Sequence, residues 1–109
     1  MIKIVVDTNV VISGTLVDSG LPASILDLAA CKKVRMIVSA HILAEYEEVL
    51  RRPRFKIGTT RINEIFTVIR KTSLLVKPSN TISISRYESD NRFYECAEAG
   101  NADFLITGN

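Results

Sequence analysis

The chain has no tryptophan, one histidine, three prolines and two cysteines in 109 residues. Neither cysteine, Cys31 or Cys96, sits in a CxxC pair or close to His41. That spacing excludes a disulfide framework and a thiolate–imidazole zinc site, so both thiols read as reduced core residues. No apolar run comes near the roughly 20 residues that cross a bilayer. The opening MIKIVVD is too short for a secretory leader, and Asp7 interrupts it. The expectation is a cytoplasmic protein without a membrane role. Neither GxGxxG nor GxxxxGK[ST] follows any strand-like segment, which counts against a nucleotide-binding domain. Repeats, low-complexity tracts and linkers are also absent.

What remains is an ordinary globular composition, 47% apolar and 24% charged. Its length suits a single domain over residues 1–109 with a core that needs no staples. The net charge of +2 is unevenly spread. Between Arg51 and Lys77 eight basic residues face one acid, Glu64, while the rest of the chain holds six basic and eleven acidic residues. A basic middle on an acidic remainder suits a protein that holds both a cation and a polyanion, and equally suits a solvated helix face with a loop.

Hydrophobic patterning alternates strands with helices. Ile2 to Val6 is a β-branched run expected of a strand buried on both faces. Leu21 to Lys33 is helical, with Pro22 tolerated in the first turn. Val34 to Val38 reads as a second strand, and Ser39 as the N-cap of a helix that Pro53 stops. A basic loop to Gly58, a helix over Thr60 to Thr72 and a short strand over Leu74 to Val76 follow. Ile82 and Ile84 alternate with serines as in an exposed extended segment. Ser89 or Asp90 is expected to cap a last helix that Gly100 ends, and Asp103 to Thr107 is the fourth strand. This order predicts an α/β fold, a three-layer α/β/α sandwich around a parallel four-stranded sheet. Right-handed crossovers then bring every strand's carboxyl end to one edge, where open α/β sheets bind ligands.

Asp7, Glu45, Asp90 and Asn109 each follow a strand and so belong to that edge. Three carboxylates together suit a hard divalent ion. Asp7 can equally cap the next helix, and Asp90 can be a plain N-cap. Glu45 and Glu47 occupy opposite margins of the stripe formed by Ile42, Leu43, Tyr46, Val49 and Leu50, so periodicity does not choose between them. Asp103 begins a strand and belongs to the other edge. His41 reads as a surface or packing residue, Tyr46 as part of the core stripe. Phe55, in the basic loop, can pack on the sheet or stack on a base.

DTNVVIS at the first strand, ILAEYEEVLRRPRF on the Ser39 helix and SDNRFYECAEAGNADFLITGN at the end resemble the PIN-domain proteins. The resemblance covers essentially the whole chain and is closest to PIN-like toxins of bacterial and archaeal toxin–antitoxin pairs. It implies a metal-dependent endoribonuclease that hydrolyses phosphodiester bonds of single-stranded RNA, with Asp7, Glu45 and Asp90 holding Mg²⁺ or Mn²⁺. It thereby selects Glu45 over Glu47. Asn9 and Thr107 would orient ligands or waters from behind, and Arg51, Arg52, Arg54 and Lys56 would contact RNA phosphates. An antitoxin protein and a homodimer are the implied protein partners. The family usually has an aspartate where Asn109 stands, and a further strand beyond it, so the chain reads as C-terminally shortened. The alternative implied by those departures is a degenerate PIN domain that binds RNA or a partner without cutting.

Overall fold

A computed structural model describes residues 1–17, 19–79, 81 and 88–108. The extended segment expected around Ile82 and Ile84 lies outside the described residues, as does Asn109.

The sheet holds β1 (Lys3–Val6), β2 (Arg35–Val38), β3 (Leu74–Leu75) and β4 (Phe104–Ile106) in the order β3-β2-β1-β4, every pairing parallel. Ile4, Val5 and Val6 are buried, as a central strand covered on both faces requires. Period two divides β2 between the faces: Met36 lies toward the helices α2 (Leu21–Ala30) and α4 (Thr59–Thr72), and Ile37 meets α5 (Glu88–Gly100). The remaining helices are α1 (Thr8–Leu16) and α3 (Ala40–Leu50). The expected three-layer α/β/α architecture is therefore what the chain forms. No single helix among the described residues is long and apolar enough to cross a membrane.

Local chemistry sets the element ends. Asp7 caps α1 by accepting from the Val10 N–H at 2.9 Å. Val10, Val11, Ile12 and Gly14 of that helix are all buried, so it is apolar around most of its circumference. Ser39 caps α3, its Oγ accepting from Ile42 N–H at 3.2 Å. After α3, Pro53 opens a 3₁₀ turn, Pro53–Phe55, closed by Lys56 in the left-handed region at φ 53°.

Three expectations need correction. α5 starts at Glu88, so Asp90 lies inside its first turn and is not its cap. Gly100 belongs to α5 and is not its left-handed stop: a Cβ there would lie 2.4 Å from the Ile37 side chain, and Asn101, at φ 51°, takes the left-handed position instead. Cys31 is exposed at the end of α2, while only Cys96 is a core thiol, its pKa pushed up to about 12 by burial.

Candidate active site

The strand order reverses at β1, which lies between β2 and β4, so ligands are expected beyond the carboxyl ends of β1 and β4. Asp7 stands at that point. Its backbone N–H donates to the Ile106 carbonyl at 2.9 Å, extending the β1–β4 ladder. Its carboxylate ties the start of α1 to the segment after β4: Oδ1 accepts from Val10 N–H, and Oδ2 accepts from Gly108 N–H at 3.1 Å. The capping and site readings are thus compatible, since an ionised carboxylate has about four lone-pair sites and the two amides occupy only two.

Glu45 reaches the same place from α3. The Thr8 hydroxyl donates to its Oε2 across 37 residues of sequence, and Thr8 is itself buried. Its neighbours are committed elsewhere. Glu47 pairs with Arg51 at 3.1 Å and Glu48 with Arg52 at 3.0 Å, both one helical turn on. Next to Glu45, Tyr46 is fully buried and donates its hydroxyl to the Val6 carbonyl, directly beneath Asp7. Burial first, then the neighbouring Cys96, Asp7 and Glu45, push the Tyr46 phenol well above the ordinary tyrosine value, so it stays a protonated donor.

Asp7, Glu45 and Asp90 line one hollow of about 240 Å³ with Thr8, Asn9 and Phe93. An adjoining hollow of about 310 Å³ shares Asp7, Asn9 and Asp90 and adds Thr107. The carboxylates share a space without meeting at a point: among the described residues no three acidic, histidine or cysteine side chains stand close enough to ligate one ion. Asp90 is exposed, and Asp7 and Glu45 are half-buried.

The basic residues separate. Arg52, Arg54 and Phe55 line the acidic hollow, whereas Arg51 and Lys56 do not. Arg51 turns to Glu47 and, at 3.5 Å, to Asn63. Asp103 lies at the opposite edge of the sheet, where its Oδ2 accepts from the Lys3 N–H at 2.8 Å.

A family model for the PIN domain matches residues 3–109. The chain belongs to the PIN-domain family. Among curated proteins, an uncharacterized protein of Methanocaldococcus jannaschii is 34% identical over 110 residues, covering 98% of this chain and 70% of that protein. No solved structure matches the chain. PIN domains are usually nucleases, generally use divalent metal ions and act on RNA. Sequence reasoning missed Thr8 as the group that holds Glu45. Its position beside Asp7, at the start of a helix entering the same edge, was the available signal.

Proposed function

We propose that this PIN domain, acting as one unit over residues 1–109, is an endoribonuclease that hydrolyses single-stranded RNA with Mg²⁺ or Mn²⁺. The observation that carries the reading is that carboxylates from three separate elements share one hollow at the point where the strand order reverses. The donor set fits the ion: it offers carboxylate, amide and hydroxyl oxygens and no sulfur or imidazole. Asp7, Glu45 and Asp90 would hold it between them, with waters bridging to any carboxylate that does not reach the ion directly. When bound, such a cation supplies Lewis acidity and positive charge to a phosphodiester.

The chain's own groups prepare the site. Two backbone amides fix the Asp7 carboxylate, and the Thr8 hydroxyl fixes one oxygen of Glu45, leaving the other available. Asn9 and Thr107 hydrogen-bond waters or ligands at the margin. Arg52 and Arg54 neutralise RNA phosphates at the rim, and Arg51 and Lys56 add charge farther out. In the cell the activity would be that of a toxin restrained by an antitoxin protein, with self-association into a homodimer, a reading supported by the motif resemblance.

The asparagine of TGN favours a second reading, a degenerate domain that binds RNA or a partner without cutting it. Incubation with single-stranded RNA and Mg²⁺ or Mn²⁺, with and without EDTA, separates the two. Divalent-dependent cleavage by the wild type is expected. Cleavage by Asn109→Asp alone supports the degenerate reading, and cleavage by neither overturns the nuclease.

A further inference from the structure

Three arginines crowd the end of α3, and they are not equivalent. Arg51 and Arg52 are each tied to a glutamate one turn back, but Arg54 pairs with no acid among the described residues. Its guanidinium lies over the Phe55 ring, 4.8 Å from the centroid. The ring is half-buried and packed against the core, so it gives Arg54 a firm backing. The turn that carries both is itself restrained by Pro53, by the Lys56 N–H bond to the Pro53 carbonyl at 3.1 Å, and by the left-handed Lys56 backbone. Arg54 and Phe55 line the same hollow as Asp7, Glu45 and Asp90.

We infer that Arg54, held over the Phe55 ring, is a stacking platform for the nucleobase beside the phosphate that the acidic hollow receives. A solvated phosphate contact needs only a mobile point charge, for which lysine would serve. A guanidinium laid on an aromatic ring presents an outer planar face, and single-stranded nucleic acids are gripped by planes of this kind. Stacking reads no base edge, so the platform accepts any base and discriminates against strands that lack them. It deepens the nuclease reading, naming base-bearing single strands as the substrate and one residue pair as their grip.

The test is binding in Ca²⁺ of two fluorescent oligomers of equal length, oligouridylate and a ribose–phosphate oligomer without bases. Arg54→Lys and Phe55→Leu should each weaken oligouridylate binding about 5- to 150-fold, the range set by stacking of one base. Binding of the abasic oligomer should change less than about two-fold in Arg54→Lys, with the same salt dependence, because the charge is retained. Arg54 is exposed, so its lysine variant reports even if Phe55→Leu disturbs packing. Equal losses on both oligomers, no loss in Arg54→Lys, or a wild type that does not prefer oligouridylate would overturn the platform. Cleavage of RNA by that same wild type shows that the platform alone has failed. Absence of both binding and cleavage removes the nuclease reading with it.

Discussion

The two ends of the sheet carry opposite charge. At the carboxyl edge three acids, Asp7, Glu45 and Asp90, line a hollow with Arg52 and Arg54 at its rim; at the amino edge a hollow of about 160 Å³ is lined by Lys32, Arg35 and Lys71 and, among the described residues, by no acid. Much of this polarity follows from the topology. In a parallel α/β sandwich helices start at the carboxyl edge and end at the amino edge, and helix dipoles favour acids at starts and bases at ends by about 0.3–1 kcal/mol each. Lys71 in the last turn of α4 and Lys32 just after α2 fit that account. So do Asp7, capping α1, and Asp90, in the first turn of α5. Glu45 does not. It sits in the middle of α3, half-buried, with Thr8 turned to meet it. The comparison therefore singles out Glu45 as the acid that helix electrostatics does not explain, and it locates the case for a cation there.

The sharpest way to break the comparison uses one substitution at both edges. Asparagine caps helices about as well as aspartate, so Asp7→Asn should keep α1 intact while removing the charge. Divalent-dependent cleavage should fall by more than about 100-fold, beyond the loss typical of groups one step removed from a metal. Asp103→Asn, at the amino edge, should change the rate less than about two-fold. Comparable losses in both would mean that the carboxyl edge has no special role. Next in size is Glu45→Gln, expected to lower cleavage at least about 10-fold. Glu47→Gln removes only an exposed pair with Arg51, worth about 0.2–1 kcal/mol, and should leave the rate unchanged.

The residues that could be read ahead were those with a local reason to be where they are. β-branched runs announced β1 and β2, Ser39 its cap and Pro53 its stop, because each acts within a few residues of itself. The edge shared by Asp7 and Asp90 was legible because crossover handedness is nearly invariant. Periodicity could not choose between Glu45 and Glu47, yet charge spacing could have. Glu47 and Glu48 have Arg51 and Arg52 four residues on, whereas Glu45 has Val49. Gly100 was misread because its role comes from Ile37, far away in sequence, and close approach of a helix to a strand leaves no local mark. Cys31 was misplaced for a related reason: composition says that thiols are usually buried but not which helix end stays uncovered. Thr8 was passed over because its partner is on another helix.

The smallest expected effect tests how firmly the acidic edge is supported from below. Tyr46 donates to the carbonyl of Val6, the residue before Asp7, from a fully buried position on α3. Tyr46→Phe keeps the ring and its packing but removes that donor. The loss should be about 1–2 kcal/mol, the cost of leaving a buried acceptor without its donor. In a domain of this size each kcal/mol lowers the melting temperature by about 4–8 °C. A calorimetric scan measures that shift, and cleavage assayed well below the melting point should fall no more than a few-fold. If the melting temperature holds while cleavage collapses, the hydroxyl serves the chemistry and not the strand. The carboxyl edge would then extend one layer deeper into the core than the three carboxylates alone indicate.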